Sequence, residues 1–258
     1  MLKICPLIDL FFTKDPWEKR AEQIAACGYK YIETWKGANT AELKRMNSAG
    51  LQLVSIVMNF ATEAAVAPIN PACQASFLER IDAMADSALE AGCRQGIVTT
   101  GQIVSGLGHQ AQRAALVEAM AKAGELVARR GFSINLEPLN TEVDHPGYFL
   151  DSPDEGVAIV KEIAQPNVKL LYDIYHMSIM RGNQLDFLAR NLKWIGHFHT
   201  AGVPGRHEPR NGETNYPFML GEIDRAGYDG HVGLEYFPLL PSRESLLQTA
   251  EYFRSRHA

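Results

Sequence analysis

Four residues of the types that bind metal ions occur in series along the second half of the chain, each within a short apolar run. Their spacings are 36, 26 and 36 residues, each about one β-strand plus one helix, and the residues are Glu137, Asp173, His199 and Glu235. If each one ends a strand of a parallel barrel, the four side chains meet at one mouth of that barrel. Three carboxylates at such short range repel one another unless a cation neutralises them. Oxygen and imidazole donors without a thiolate predict a divalent metal ion, with Mg2+ or Mn2+ favoured and Zn2+ or Co2+ as substitutes.

Two of these donors, Glu137 and Glu235, are also placed to transfer protons. They belong to the fifth and eighth β-type runs, on opposite sides of the expected site. A metal ion that holds a carbonyl oxygen and the neighbouring hydroxyl oxygen stabilises the enediolate formed when a C–H proton leaves. One glutamate can then take the proton, and the other can return it at the adjacent carbon or on the opposite face. The predicted reaction is the isomerisation of a small hydroxy-carbonyl compound.

Two further residues are candidates for contact with the substrate. His176 follows Asp173 by three residues, and its imidazole could polarise a substrate oxygen; the alternative is a loop histidine bonded to backbone. Arg206 lies in the loop after the seventh run, where its forked donors could bind a carboxylate or hydroxyl group of the substrate. Surface arginines are common, so a role on the surface is the alternative for Arg206.

Two other ionisable residues have weaker signals. His197 precedes His199 by two residues and therefore faces the same side, one layer deeper. It is either a hydrogen-bonded core histidine or a partner of a metal ligand. Glu33, near the end of the second run, has no obvious partner and is expected at the rim of the barrel.

The elements that must position these side chains alternate regularly. Eight β-type runs span residues 3–9, 29–35, 51–58, 94–101, 132–140, 168–176, 195–201 and 231–238. Helix-start signals lie between them: Asp15-Pro16, Asn70-Pro71 and Ser152-Pro153, each a capping residue followed by a proline. Eight such alternations predict an α/β fold, a (β/α)8 TIM barrel, in a single domain over residues 1–258. A doubly wound sheet is disfavoured because no glycine-rich loop follows the first run.

Composition excludes several classes of protein. A net charge of −5 and a pI near 5.9 argue against a nucleic-acid partner. We expect no membrane span, because no apolar run reaches roughly 18 residues, and the amino-terminal run meets charged residues too early for a secretion signal. Four scattered cysteines favour the reducing cytoplasm. The expected partner is a small-molecule substrate, with a homo-oligomer possible.

From residue 134 onward the sequence resembles the hydroxypyruvate isomerase family of the xylose-isomerase-like barrels. The resemblance lies in EPLN followed by HPGYFL, in LLYDIYHMSIMRGN, in IGHFHTAGVPGRHEPRNGETNYP and in GYDGHVGLEY. It implies metal ligands at Glu137, Asp173, His199 and Glu235. By the same resemblance Glu137 and Glu235 transfer the proton, while His176 and Arg206 contact the substrate. The implied reaction converts hydroxypyruvate to tartronate semialdehyde or a related compound.

Two departures from the family pattern keep other substrates open. Leu7 stands where these isomerases have Asn in the first strand, and Phe237 stands where they have Lys after the last ligand. Phe237 is expected to face inward as Glu235 does, which would suit a less charged substrate. A ketose 3-epimerase of the tagatose or psicose type, which shares the metal constellation, is therefore the alternative. A metal phosphodiesterase resembling the AP endonucleases is less favoured, because the first four runs contain no histidine.

Overall fold

The computed structural model describes residues 2–255 and contains eight parallel strands that alternate with helices. The strands are β1 Lys3–Pro6, β2 Tyr31–Thr34, β3 Gln52–Asn59, β4 Gln95–Val98, β5 Ser133–Leu136, β6 Val168–Asp173, β7 Ile195–Thr200 and β8 His231–Leu234. The helices are α1 Trp17–Ala26, α2 Thr40–Met46, α3 Gln74–Glu90, α4 His109–Ala128, α5 Pro153–Ile163, α6 Ile174–Met180, α7 Gln184–Asn191, α8 Tyr216–Arg225 and α9 Ser242–Arg254.

The eight strands form a nearly closed barrel. Their order is β1-β8-β7-β6-β5-β4-β3-β2, and every recorded pair is parallel. A parallel bridge between Leu7 and Glu33 connects the segment after β1 to β2. Pairing of the first strand with the last is a property of a barrel and not of an open doubly wound sheet. The predicted (β/α)8 TIM barrel is therefore confirmed.

Strand β7 illustrates how side chains are divided between the barrel interior and the apolar layer between strands and helices. Along this strand the residues alternate, so His197 and His199 face the barrel interior. Phe198 packs on the other side, with its ring centroid 4.8 Å from that of Tyr228 and 6.0 Å from that of Tyr172. The apolar layer between strands and helices thus fixes the direction in which the interior histidines point.

Seven of the eight predicted runs extend past the carboxyl ends of their strands, the exception being 51–58, and the clearest case is 168–176. The ladder of β6 stops at Asp173 and α6 begins at Ile174. The Asp173 carboxylate accepts a hydrogen bond from the backbone N–H of Tyr175 at 2.8 Å, which caps the new helix. His176 therefore lies on a buried helix and not in a loop or strand.

Two of the three helix-start predictions match the structure. The Ser152 hydroxyl accepts from the Glu155 N–H at 3.4 Å at the start of α5, and the Asn70 side chain accepts from Ala72 at 3.1 Å ahead of α3. The prediction for Asp15 was wrong. Helix α1 begins at Trp17, one residue later than expected, and the Asp15 carboxylate instead pairs with Lys19 at 2.9 Å.

Within residues 2–255, none of the helices is both long enough and apolar enough to cross a membrane. The four cysteines form no disulfide, and three of them are buried.

Candidate active site

The four predicted donors meet at the carboxyl-terminal mouth of the barrel. Asp173 and His199 lie on β6 and β7, and Glu137 and Glu235 directly follow β5 and β8. Each residue offers a nitrogen or oxygen atom, these atoms lie within 4.8 Å of one another, and all four side chains are buried. Consecutive strands of a parallel barrel end at the same level, which is why residues so far apart in sequence converge.

This donor set fits a divalent cation. The Glu137 Oε1 atom is buried and has no hydrogen-bond partner, so one carboxylate oxygen is left unsatisfied. Burial raises the pKa of Glu137 well above its usual value, and Glu235 and Asp173 add to this although His199 opposes it. Burial likewise raises the pKa of Asp173 to about 6 against the opposing effects of His199 and Arg206. The raised pKa values indicate that His199 and Arg206 do not fully offset the burial of these two carboxylates, and a bound cation would supply further positive charge.

Glu235 is held by three donors. Its Oε1 accepts from the Trp35 indole N–H at 2.7 Å, and its Oε2 lies 2.6 Å from Arg206 Nη2 and 3.0 Å from His199 Nδ1. Burial would raise the pKa of Glu235, but Arg206 and His199 outweigh it and keep the pKa well below the usual value. The side chain is therefore an ionised and oriented carboxylate.

His199 lies between two groups of carboxylates. Its Nδ1 faces Glu235 at 3.0 Å and Glu137 Oε1 at 3.7 Å, whereas its Nε2 faces Glu33 Oε2 at 3.3 Å. Burial would lower the pKa of His199, but Glu33 and Glu235 hold it well above its usual value. Nδ1 is thus the nitrogen directed at Glu137 and Glu235.

Asn140 determines which nitrogen of His176 carries a proton. Its backbone N–H and its side-chain amide both face His176 Nδ1, at 3.3 and 2.6 Å, so Nδ1 is an acceptor. Nε2 then carries the proton, and this buried atom makes no hydrogen bond. Burial, followed by the nearby charge of Arg206, lowers the pKa of His176 well below its usual value. His176 is therefore a neutral N–H donor.

The structure brings Arg206 into the site. Its side chain is 13% exposed, and its Nη2 lies 3.9 Å from Asp173 in addition to the contact with Glu235. Its backbone is left-handed, at φ +56°, which few residues other than glycine adopt. In the same loop the buried Glu208 carboxylate accepts from the N–H groups of Leu239 and Leu240 at 3.0 to 3.2 Å. Glu208 ties this loop to the segment after β8.

Two of the four donors, Glu137 and Glu235, line a cavity of about 240 Å3. Its polar end includes Glu137, His176 and Arg206, and Trp35 and Leu139 contribute to its apolar wall. A larger groove of about 410 Å3 lies outside the barrel between α7 and α8. Neither of the two donor clusters found among residues 2–255 lies in that groove, whereas Glu137 and Glu235 line the smaller cavity.

Phe237 and Glu33 differ from expectation. Phe237 is 46% exposed and packs beside Trp35, with ring centroids 6.5 Å apart, so it lies at the mouth and does not line the cavity as expected. The β8 ladder ends at Leu234, and beyond it the chain no longer has to alternate. The prediction that Glu33 is a rim residue was wrong, because it is fully buried and faces both His197 and His199.

Three residues were missed: Trp35, Asn140 and His145. His145 lines the cavity, and its ring lies 5.3 Å from that of His176. Trp35 directly follows β2, and Asn140 and His145 follow β5 by four and nine residues. Their position after a strand was therefore the available signal, but residue type alone did not single them out.

Comparison with known proteins agrees with this architecture. A family model described as a xylose isomerase-like TIM barrel matches residues 21–256. A putative hydroxypyruvate isomerase of Homo sapiens is 31% identical over 92% of this chain and 90% of that protein. A 2-oxo-tetronate isomerase of Cupriavidus necator is 45% identical, over 49% of this chain and 48% of that protein, so the match spans about half of each.

Solved structures share the whole barrel. One named AP endonuclease, family 2, from Brucella melitensis has a TM-score of 0.90 at 29% identity and covers 98% of this chain and 99% of that one. A D-allulose 3-epimerase from Methylomonas sp. has a TM-score of 0.84 at 19% identity, over 99% and 97% of the two chains. The second similarity is evidence for the fold alone. The chain therefore belongs to the xylose isomerase-like TIM barrel family, and its relatives named hydroxypyruvate isomerase and 2-oxo-tetronate isomerase support an isomerase function.

Proposed function

We propose that this chain isomerises a small hydroxy-carbonyl compound by metal-assisted proton transfer, as a hydroxypyruvate isomerase does. The observation that carries the proposal is that two carboxylates, Glu137 and Glu235, belong to one buried donor cluster and also line a small cavity. The cavity of about 240 Å3 is smaller than the roughly 300–1,000 Å3 of typical ligand pockets, which suits a short substrate.

Each residue has a role in this proposal. Glu137 takes the C–H proton, because its Oε1 is free of hydrogen bonds, and later returns it to the former carbonyl oxygen. Glu235, which is ionised at the start, takes the proton of the substrate hydroxyl and delivers it to the neighbouring carbon. Arg206 and Trp35 orient Glu235, and the neutral His176 N–H donates to a substrate oxygen. Glu137, Asp173, His199 and Glu235 would hold Mg2+ or Mn2+, which supplies the positive charge that stabilises charge developing on the substrate oxygens.

A ketose 3-epimerase is the second candidate, and the surroundings of Arg206 favour it. Among the described residues that line the cavity, Arg206 is the only lysine or arginine, and it is already paired with Glu235. A substrate carboxylate would therefore compete with a protein carboxylate for this cation, whereas a neutral ketose would not. The proton chemistry is the same, except that the proton returns to the carbon it left.

We also propose a cytoplasmic location, since all four cysteines are unpaired.

The test is turnover by protein that has been stripped of metal and reloaded with Mn2+ or Mg2+. Hydroxypyruvate and tartronate semialdehyde are followed beside a panel of free ketoses and a duplex DNA with an abasic site. We expect conversion of hydroxypyruvate, reduced about 10² to 10⁴-fold by Glu137→Gln and by Glu235→Gln. Turnover of ketoses alone would assign the epimerase reaction. Cleavage of the DNA alone, or no turnover and no bound metal, would contradict the proposal.

A further inference from the structure

A second group of ionisable side chains lies one layer below the candidate site, inside the barrel. It consists of Cys5, Glu33 and His197, whose donor atoms lie within 4.8 Å of one another. All three residues are completely buried. The reaction proposed above uses none of them, so their presence in a barrel core needs a separate reason.

The contacts of Glu33 connect this layer to the site. A single oxygen, Oε2, lies 2.7 Å from His197 Nε2 and 3.3 Å from His199 Nε2. Among residues 2–255, Glu33 forms salt bridges only with these two histidines, and no lysine or arginine pairs with it. An ionised carboxylate costs several kcal/mol to bury, so an apolar residue would serve a merely structural purpose better.

The direction of the hydrogen bonds follows from Gln95. Its side-chain amide nitrogen can only donate, and it lies 3.1 Å from His197 Nδ1, so that nitrogen is an acceptor. His197 Nε2 therefore carries the proton and donates it to Glu33. With its lone pair at Nδ1 already used by Gln95 and its Nε2 protonated, His197 is not a metal ligand, which argues against a second metal site in this layer.

The same reasoning orients His199. An ionised carboxylate oxygen accepts hydrogen bonds only, so the His199 Nε2 that faces Glu33 must also be N–H. The other ring nitrogen, Nδ1, then has a lone pair available whenever the ring is neutral. This nitrogen faces Glu137 and Glu235.

We propose that Glu33 is a positioning residue, which accepts N–H bonds from His197 and His199 and so presents Nδ1 of His199 to the metal. The inference rests on the metal-dependent function proposed above. A carboxylate behind a ligating histidine fixes the ring orientation and raises the basicity of the ligating nitrogen, and its loss typically weakens metal affinity 10–100-fold. Glu33 acts through His199 and touches neither metal nor substrate.

The test measures metal binding directly and not turnover. Metal-free wild type, Glu33→Gln and Cys5→Ala are titrated with Mn2+ by calorimetry, and circular dichroism checks the fold of each. Gln keeps the size of Glu33 but removes its charge, whereas Cys5→Ala alters the same buried layer without touching His199. We expect the affinity of Glu33→Gln to fall 10–100-fold and that of Cys5→Ala to stay at the wild-type value.

Nitrogen NMR of the histidine rings provides a second measurement that needs no variant. In wild type loaded with diamagnetic Mg2+, His199 should be protonated at Nε2 and unprotonated at Nδ1. The opposite tautomer would overturn the inference, as would equal Mn2+ affinities for wild type and Glu33→Gln. Each of those two results would overturn this inference alone. A wild type that binds no Mn2+ would overturn the proposed function as well, so the two failures can be told apart.

Discussion

Arg206 is already paired with carboxylates of the protein, because its guanidinium lies 2.6 Å from the Glu235 carboxylate and 3.9 Å from that of Asp173. Its role in our account is to hold Glu235 in one orientation. A lysine would preserve the positive charge but not the planar, forked set of donors.

We therefore predict that Arg206→Lys lowers kcat/KM about 10²-fold, comparable with the loss of one charge-stabilising donor in other active sites. Arg210→Lys is the matched control, since Arg210 lies in the same loop but is exposed and bonds only to Gln248 among the described hydrogen bonds. Steady-state kinetics on both variants checks the prediction. An equal effect of the two substitutions would show that general disturbance of the loop is responsible.

The protonation of His199 determines how we expect metal binding to depend on pH. Glu33 and Glu235 outweigh burial and keep the pKa of this imidazole well above its usual value, so the metal-free ring holds a proton on Nδ1 around neutral pH. That proton must leave before Nδ1 can bind a metal ion. Mn2+ affinity should therefore rise with pH and binding should release protons, which calorimetry in buffers of different ionisation enthalpy measures. An affinity that is independent of pH would contradict this assignment.

Sequence reasoning reached the four donors but not the residues that support them. Glu137, Asp173, His199 and Glu235 could be predicted because each is an ionisable side chain at the end of an apolar run. Glu33 could not be, because its partners lie 164 and 166 residues away and only barrel closure brings them together. Asn140 was missed for a related reason: its importance depends on which nitrogen of His176 it faces.

At the level of secondary structure, the existence of each strand was predictable and its end was not. Past β8 the backbone still bonds to neighbouring segments, and the N–H groups of Glu235 and Phe237 donate to the carbonyls of Thr200 and Arg206 at 3.2 and 2.8 Å. The β-type sequence pattern therefore continues although the regular ladder has stopped at Leu234. These irregular ends are where the candidate site lies, so the sequence is least informative about structure where the chemistry occurs.

The loop after β7 supplies a prediction about stability. Burial raises the pKa of Glu208, but hydrogen bonds from backbone N–H groups, Leu240 first among them, outweigh it and leave the pKa below the usual value. Glu208→Gln should lower the free energy of unfolding by about 1–3 kcal/mol at neutral pH. A depressed folded-state pKa stabilises above the unfolded value of about 4.3, so this difference should shrink as pH falls through the lower folded value.

Urea denaturation at a series of pH values measures both effects for Glu208→Gln. Glu213→Gln is the control, because Glu213 lies in the same loop but is exposed. A stability difference of the same size in both variants, or one that grows on acidification, would contradict the role given to Glu208.

At the scale of the whole molecule, apolar packing and ionisable side chains occupy different parts of the barrel. The layer between strands and helices is apolar, whereas the interior carries polar and ionisable side chains in two layers, with the donor cluster above and Glu33 and His197 below. We propose that the chain works as a single domain, because all eight strands belong to one sheet. Composition and alternation were enough to predict this architecture, while the choice between isomerase and epimerase depends on side chains at the mouth.

The most direct test of the central claim is turnover in D2O, followed by proton NMR of the product. Transfer through two carboxylates, Glu137 and Glu235, predicts that metal-loaded wild type places solvent deuterium on the carbon that receives the proton. Glu137→Gln should leave the substrate C–H signal intact over the same period. If wild type converts its substrate and the product keeps the original hydrogen, that hydrogen is carried over directly, as a hydride or by one base shielded from solvent, and the account of transfer through two carboxylates is wrong.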